Sequence, residues 1–361
     1  MTDFSLNHVA FFSYNVFGGT SDVAPFATIG GSNTGMDHPF GLALDSDGNI
    51  YVTNEGGGAG SPGSITIYPP LGSGTGILNE SPTLTIVGQP RSYCTAAGVP
   101  FACCTDFDTG PSCIDNTGLG TASPLDITLD SSRNIYVANL NGNGVLGGGG
   151  VTVYSPLGSS SGTLNESPLA AIAGQFDFNC TGAGAPYGCC SDVQTGTCVD
   201  NTELAEPTGI VLDSAGNIYV LNEEGGPGQR GSVTAYSAGA NGNATPFLVL
   251  TGNNMGLSAA EYGLAFDPLG NLLVGDGGSN RVDVFSPPFV NGDPLPASTI
   301  NDPSGPYGIE NVQVDGQQLT FVANFSSSTI TVYDASGNLL STLSSDTGLS
   351  HPARVVVIPS P

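Results

Sequence analysis

Short hydrophobic runs recur along the chain in pairs, and a polar segment separates the two runs of each pair. The clearest pair covers residues 38–54, HPFGLALDSDGNIYVTN. Less similar copies occupy residues 123–139, 206–222, 260–276 and 311–324, and a truncated copy, HPARVVVIPSP, starts at His351. The runs are rich in branched and aromatic residues, a composition that favours pleated, partly buried strands. Each full copy therefore predicts two successive β-strands.

The polar segment inside each full copy predicts a hairpin turn. The aspartates at its first place are Asp45, Asp130, Asp213, Asp267 and Asp315. An aspartate side chain caps its own turn, and the glycine that follows in most copies accepts a positive φ angle. A calcium loop is the alternative, because Asp45, Asp47 and Asn49 alternate. The calcium-binding helix–loop–helix requires glycine at the place of Ile50, so the turn is the better interpretation.

Sets of four strands follow one another along the sequence. The first set is predicted at Gly41–Leu44, Ile50–Thr53, Ser64–Tyr68 and Thr83–Val87, and helical periodicity is absent. Four-stranded units at a pitch of about 50 residues indicate a β-propeller. Residues 8–30 match only the back half of a unit, and the C-terminal copy supplies the missing innermost strand. We therefore expect an all-β fold, a six-bladed β-propeller of four-stranded antiparallel blades, with one blade closed by N- and C-terminal strands.

The repeat resembles the NHL repeat, a family of propeller blades. The resemblance rests on the pattern Pro-x-Gly-hydrophobic-x-hydrophobic-Asp-x-x-Gly-Asn-hydrophobic-Tyr-Val-x-Asn and covers nearly the whole chain. It implies a fold and does not specify an activity. Asp126 and Arg354 stand where the pattern has glycine, and the fifth blade has extra residues around Ile309–Asn311. We expect a single domain, residues 1–361, with loop insertions at about 89–121 and 175–204.

Composition narrows the classes of function. Hydrophobic residues make up 39% of the 361 residues, enough for a core, and no apolar run approaches the length of a membrane span. Asp and Glu number 31 against 5 basic residues, all arginine, which gives a formal net charge of −26. Such a surface repels phosphate groups, so nucleic-acid binding is not expected. Membrane insertion is not expected either, because no apolar run is long enough to span a membrane. Charged residues total only 10%, and the resulting uncharged polar coat is typical of proteins outside the cell.

Eight cysteines form two similar clusters, one in each predicted insertion. The clusters consist of Cys94, Cys103, Cys104 and Cys113, and of Cys180, Cys189, Cys190 and Cys198. Neither cluster contains a histidine. Neither has the cysteine spacing that is usual in a zinc site, and neither has a haem attachment motif. Two disulfides in each cluster are therefore expected, and the pairing is left open. Disulfides indicate an oxidising compartment, so we expect an extracellular or cell-surface location.

Two further features concern export. Residues 1–15 lack the basic and long apolar regions of a signal peptide, so we expect a mature form or a segment of a longer exported protein. N-x-S/T sequons, which are candidate glycosylation sites, occur at Asn79, Asn165, Asn179, Asn243 and Asn324.

Candidate site residues lie at the predicted mouth of the axial channel, where the innermost strands begin. His38 and His351 occupy the same place in adjacent blades, and Glu206 occupies it in the third blade. Two histidines and a glutamate are compatible with a zinc site, but histidine before proline at a strand start is more often a packing residue. Asp126 and Arg354 are expected to form a charged contact there. No catalytic nucleophile with its base is recognisable, and no phosphate-binding loop occurs.

These observations lead to two functional hypotheses. The leading one is a non-catalytic extracellular module, structural or adhesive, without a cofactor beyond weak calcium binding. Its partner, a protein or a second copy, would use the loop-rich face or the terminal strands, and strand addition would allow a fibre or matrix. The loop-rich face combines both cysteine clusters with the inserts 56–63, 141–150 and 223–231. The alternative, implied by enzymes on similar propellers, is an axial-metal-dependent hydrolase or lyase of the lactonase and lyase type.

Overall fold

Six blades form a closed ring around an axis in the computed structural model. The structure describes residues 1–13, 24–56, 63–87, 117–119, 123–140, 149–156, 158, 160–173, 201–225, 230–258, 261–314, 317–344 and 348–357. The first thirteen strands are β1 (Thr2–Asp3), β2 (His8–Phe11), β3 (Ala27–Gly30), β4 (Pro39–Leu44), β5 (Ile50–Asn54), β6 (Ser64–Tyr68), β7 (Gly76–Leu78), β8 (Leu84–Val87), β9 (Pro124–Leu129), β10 (Ile135–Asn139), β11 (Gly150–Tyr154), β12 (Gly162–Leu164) and β13 (Ala170–Ile172).

The second half of the chain continues the same arrangement. Its strands are β14 (Pro207–Leu212), β15 (Ile218–Asn222), β16 (Ser232–Tyr236), β17 (Leu248–Leu250), β18 (Glu261–Phe266), β19 (Leu272–Asp276), β20 (Arg281–Phe285), β21 (Ser298–Asn301), β22 (Gly308–Val314), β23 (Gln317–Asn324), β24 (Thr329–Asp334), β25 (Leu339–Leu343) and β26 (Pro352–Arg354). None of the described residues belongs to a helix long and apolar enough to cross a membrane.

Blades 1 to 5 follow the chain, and blade 6 combines its two ends. The innermost strands β4, β9, β14, β18, β22 and β26 pack against one another in a closed ring. Blade 6 has the order β26-β1-β2-β3, so three of its strands come from the N-terminal segment and the innermost comes from the C-terminal one. This confirms the predicted six-bladed, all-β propeller and its split blade. The short strand β1 is a correction, because residues 2–3 were not predicted to be a strand.

The aspartate of each described hairpin turn is bound within that turn. Asp45 Oδ1 accepts hydrogen bonds from the backbone N–H groups of Asp47 and Asn49, and its Oδ2 accepts one from Asn49 Nδ2. The turns that begin at Asp130, Asp213 and Asp267 repeat this arrangement. These bonds confirm the turn interpretation for the four described copies. The fifth aspartate, Asp315, lies outside the described residues. Asp334 begins an equivalent turn between β24 and β25, and this turn was not among those predicted from the repeat.

The apolar core is divided among the interfaces between neighbouring blades. Side chains of successive blades form a separate buried cluster at each of the six interfaces, as Ile65 and Ile127 do between blades 1 and 2. A tyrosine at the end of the third strand also ties each of the first three blades to the loop that leads into it. The hydroxyl of Tyr68 donates to Thr34 O at 2.5 Å, and that of Tyr154 donates to Thr117 O at 2.6 Å.

The loops between the third and fourth strands reach back to the preceding blade. Strand β7 of the loop at residues 70–82 pairs in parallel with β3, and β12 of its twin at 156–168 pairs with β8. Both loops therefore cover the outer edge of a neighbouring blade. This contact was not predicted, because the sequence of a short loop does not show which strand edge it will meet.

Candidate functional site

The mouth of the axis is built from equivalent positions of the repeat. His38, Ser123, Glu206 and His351 each precede a proline at the start of an innermost strand, and their φ angles are 52°, 43°, 55° and 60°. This left-handed backbone lets the carbonyl group of each residue accept a hydrogen bond from a backbone N–H. The donor in each case is the residue directly after the second strand of the same blade. The four donors are Glu55, Leu140, Glu223 and Phe4. The repeat thus brings the side chains of both positions together at one end of the axis.

Five aromatic side chains form what we call the aromatic collar of this mouth. Its members are Phe4, Phe40, Tyr262, Tyr307 and Phe325. The Tyr262 and Tyr307 rings stack with centroids 4.0 Å apart, and the Phe325 ring stacks on Tyr307 at 4.7 Å. The Phe40 ring is buried and lies 5.3 Å from the Tyr307 ring. The collar is therefore a continuous apolar wall at the mouth.

A chain of hydrogen bonds runs along the polar side of the collar. The Tyr307 hydroxyl bonds to the Tyr262 hydroxyl, which donates to both carboxylate oxygens of Glu223 at 3.3 Å. Burial, and then the charge of Glu223, raises the pKa of Tyr262 to about 12. Burial raises the pKa of Tyr307 further, with Tyr262 contributing next. Both phenols are therefore protonated hydrogen-bond donors at neutral pH.

Three glutamates near this relay have raised pKa values. Burial raises the pKa of Glu223, and its hydrogen bond from Tyr262 opposes the shift. Burial also raises the pKa of Glu55, against the effect of His38. For Glu206 the causes are burial and then the charge of Glu224. Carboxyl groups in such surroundings keep a proton closer to neutral pH than exposed ones do.

Both predicted histidines lie at the mouth and pack on the collar. The His38 ring lies 4.6 Å from the Phe4 ring, and its Nδ1 is 2.9 Å from Asp37 Oδ1. Because a carboxylate only accepts, Nδ1 carries the proton and Nε2 keeps the lone pair in the neutral ring. The His351 ring lies 4.7 Å from the Phe325 ring, and its Nδ1 is 2.8 Å from Ser5 Oγ.

Asp126 and Arg354 lie deeper, inside the ring of innermost strands. Arg354 Nε approaches Asp126 Oδ1 at 3.5 Å, so the predicted charged contact exists but is buried. It extends from blade 6 to blade 2, past blade 1, where Gly41 carries no side chain. The two oxygens of Asp126 also accept the backbone N–H groups of Ile127 and Ile210. Burial is the main cause of the raised pKa of Asp126, and Arg354 opposes it.

The mouth residues do not form a recognisable metal site. Within the described ranges, no three His, Cys, Asp or Glu side chains converge closely enough to hold a metal ion. His38, Glu206 and His351 share the mouth, but the nearest polar partners of the two histidines are Asp37 and Ser5. The donor set of the described mouth residues does not fit the axial metal of the alternative hypothesis.

Several predicted residues lie away from the mouth or outside the described ranges. All eight cysteines and Asn179 belong to the undescribed segments 88–116 and 174–200. Asn79 is exposed, and Asn165 and Asn243 are partly buried. Asn324 is fully buried, and its amide nitrogen donates to Thr331 Oγ1 at 2.9 Å. The prediction of a glycan on Asn324 is wrong, because this nitrogen is enclosed in the folded protein.

Sequence reasoning missed most of the mouth. It did not single out Phe4, Glu55, Glu223, Tyr262, Tyr307 or Phe325. The signal was nevertheless present, because these residues occupy two positions of the repeat, beside the glycine of the innermost strand and directly after the second strand. Reading the repeat position by position would have collected them, whereas a search for histidines and metal ligands did not.

Comparison with known proteins finds similarity to solved structures only. No family model matches the chain, so the NHL resemblance has no independent support, and no curated protein matches it. A putative 6-phosphogluconolactonase from Bacteroides uniformis is 14% identical, with a TM-score of 0.46, over 89% of this chain and 74% of its own. A putative gluconolactonase is 13% identical, with a TM-score of 0.45, over 85% and 76%. A virginiamycin B lyase from Staphylococcus aureus is 10% identical, with a TM-score of 0.38, over 83% and 82%.

Proposed function

We propose that the axial mouth binds a small organic molecule and that the protein is an acid–base enzyme of the hydrolase or lyase type. The observation that carries this proposal is the relay from Tyr307 through Tyr262 to Glu223. It places proton donors and a carboxyl group of raised pKa beside an apolar wall. Concave apolar sites with a few convergent polar groups and shifted pKa values are the usual setting of acid–base catalysis.

The charges around the mouth restrict the substrate to neutral or cationic molecules. Glu55, Glu206, Glu223 and Glu224 surround it, and the chain as a whole has a formal net charge of −26. A phosphorylated or carboxylated substrate would be repelled by this field. His38 supplies a base, since Asp37 holds Nδ1 and leaves the lone pair of Nε2 for a proton. Tyr262, which stays protonated and is oriented by Glu223, is the matching acid.

The test is turnover of neutral lactones and esters, such as dihydrocoumarin and p-nitrophenyl acetate, by the whole chain. Tyr262→Phe removes the relay hydroxyl and keeps the ring, and we expect it to lower kcat/KM about a hundredfold. Tyr136→Phe is the matched control, because Tyr136 donates to Asp130 at 3.4 Å in a hairpin turn away from the mouth. Equal activity of Tyr262→Phe and Tyr136→Phe would contradict the proposal.

A second candidate is the non-catalytic extracellular module. What favours it is the composition, with no lysine, 10% charged residues and eight cysteines. On this hypothesis the same mouth recognises a ligand without converting it. Calorimetric titration would then show binding that Tyr262→Phe weakens, with no turnover of any neutral ester, lactone or elimination substrate. Assembly into a fibre would further require displacement of β26, because the chain's own terminal strands already close blade 6.

A further inference from the structure

Closure of the ring places a serine hydroxyl against a histidine at the mouth. Ser5 Oγ lies 2.8 Å from His351 Nδ1, although 346 positions separate the two residues in the sequence. Ser5 is exposed, in the turn that follows β1, and His351 directly precedes β26. A nucleophile and its base have to lie within about 2.6–3.2 Å of each other, and this pair meets that requirement.

The buried carboxylate of Asp3 holds both partners in place. Its Oδ1 accepts the backbone N–H of Leu6 at 3.1 Å, which fixes the turn that carries Ser5. Its Oδ2 accepts the backbone N–H of Ser350 at 2.6 Å, beside His351. Asp3 is also close enough to His351 for their charges to interact. Asp3 therefore fixes the backbone on both sides of the contact between Ser5 and His351.

The ring of His351 is held as well. It packs on Phe325 at 4.7 Å, and the His351 carbonyl accepts the N–H of Phe4 at 3.1 Å. Ser350 Oγ lies 3.2 Å from the same Nδ1, so it is a weaker competitor for that nitrogen than Ser5. Leu6 is 47% exposed next to Ser5, and with the collar it offers apolar surface to an acyl group.

We propose that Ser5 is a nucleophile and His351 its general base, for hydrolysis of neutral esters or lactones at the mouth. This inference rests on the proposed function and narrows it from hydrolase or lyase to acyl transfer. Ser5 Oγ attacks the carbonyl carbon while its proton passes to His351 Nδ1. The bond from that carbon to the leaving oxygen then breaks, and His351 returns the proton to this oxygen. Water, deprotonated by His351, hydrolyses the acyl-Ser5 ester and regenerates the hydroxyl.

Covalent labelling tests the nucleophile independently of turnover. The whole chain is treated with an uncharged alkyl fluorophosphonate, and the labelled peptide is identified by mass spectrometry. We expect label on Ser5, none in Ser5→Ala, and at least about a hundredfold slower labelling in His351→Asn. Asparagine is chosen because it tolerates the φ of 60° at position 351. Ser132→Ala, at an exposed serine of a hairpin turn, is the control and should label like the wild type.

The outcomes separate this inference from the proposed function. Absence of label on Ser5, an equal labelling rate in His351→Asn, or full ester turnover by Ser5→Ala would each overturn the nucleophile. The proposed function would survive these results if Tyr262→Phe still lowered turnover, since water would then be the attacking group. Absence of turnover by the wild type, with no label on Ser5, would overturn both.

Discussion

At the scale of single residues, one buried polar pair recurs from blade to blade and is changed in blade 4. The last residue of the second strand is an asparagine that donates to a threonine on the third strand, as Asn54 does to Thr66 and Asn222 does to Thr234. Blades 2 and 5 contain the same pair. Blade 4 has Asp276 and Asp283 instead, and both are fully buried. This substitution places a net negative charge where blades 1, 2, 3 and 5 have a neutral pair.

Arg281 compensates only part of the charge in blade 4. Its Nε lies 2.9 Å from Asp283 Oδ1, its Nη2 lies 3.3 Å from Asp276 Oδ2, and Nη2 also donates to Gly256 O. Ser258 donates to Asp276 as well. Burial raises the pKa of Asp283 to about 6, against the hydrogen bond and charge of Arg281. One guanidinium group thus forms ion pairs with both buried carboxylates.

Replacing Asp283 by the threonine of the other blades should change how stability depends on pH. The native state binds this proton more tightly than the unfolded chain, in which the aspartate has its ordinary pKa of 3.8. The contribution of Asp283 to the free energy of unfolding is therefore greatest at low pH, and it is lost as pH rises from about 4 to about 6. Asp283→Thr should remove that loss and be the more stable protein at pH 7.5.

The measurement for Asp283 is urea unfolding of both proteins between pH 4 and pH 8. The relevant quantity is the difference between the two free energies of unfolding, because repulsion across so acidic a chain changes both proteins alike. A difference that stays constant over this range would show that Asp283 does not titrate as described.

At the scale of elements, the innermost strands approach closely at the repeat position that is glycine in blades 1, 3, 4 and 5 and is Asp126 or Arg354 in the other two. A Cβ on Gly41 would lie 2.5 Å from Leu125 O, and one on Gly308 would lie 2.1 Å from Ala353 O. At the equivalent Gly209 the nearest atom would be Leu264 Cβ, at 3.2 Å. The glycine of the repeat is therefore a spacing requirement between blades, and its strictness differs from one blade to the next.

Alanine substitutions at this position should rank in the order of those distances. Gly308→Ala meets backbone that cannot move aside, so we expect a loss of about 3 kcal/mol or more. Gly209→Ala needs a shift of only a few tenths of an ångström between the new Cβ and Leu264 Cβ, so we expect a loss below about 1 kcal/mol. Chemical unfolding of both variants measures the two losses. Equal losses would mean that strand spacing does not set the glycine requirement.

At the scale of the whole molecule, the termini close the ring and the buried pair of Arg354 and Asp126 crosses it. Strand β26 has only three residues, and β1 has two. Arg354 is 7% exposed, and its Nε and Nη1 have no hydrogen-bond partner among the described residues. The contact with Asp126 at 3.5 Å is thus a main electrostatic attachment of the last strand to the ring.

Removing one charge of that pair should lower the free energy of unfolding more than the pair's joint removal would suggest. Asp126→Asn leaves a buried guanidinium without its counter-charge, and we expect a loss of about 3–5 kcal/mol. Arg354→Met leaves a buried carboxylate and should also be strongly destabilising. The double variant should lose clearly less than the sum of the two, as measured by unfolding in a double-mutant cycle. Additive losses would show that the two charges do not interact across the ring.

The sequence by itself determined the architecture of this protein. Short runs of branched and aromatic residues specify the strands, and the Asp-to-Asn turn joins them through bonds within five residues, as at Asp45 and Asn49. Recurrence of that unit specifies blades, and the half units at both ends specify a split blade. These features depend on local chemistry and on a period, both of which can be read along a single chain.

Only the tertiary structure decided which residues meet at the mouth. Tyr262 bonds to Glu223 from 39 positions away, and Ser5 meets His351 across the junction of the two termini. Closing a ring of six blades brings the starts of the innermost strands together whatever their separation in sequence. The repeat shows that such residues share a position. The backbone path of the ring sets which neighbours they acquire, and therefore their burial, their pKa values and their chemistry.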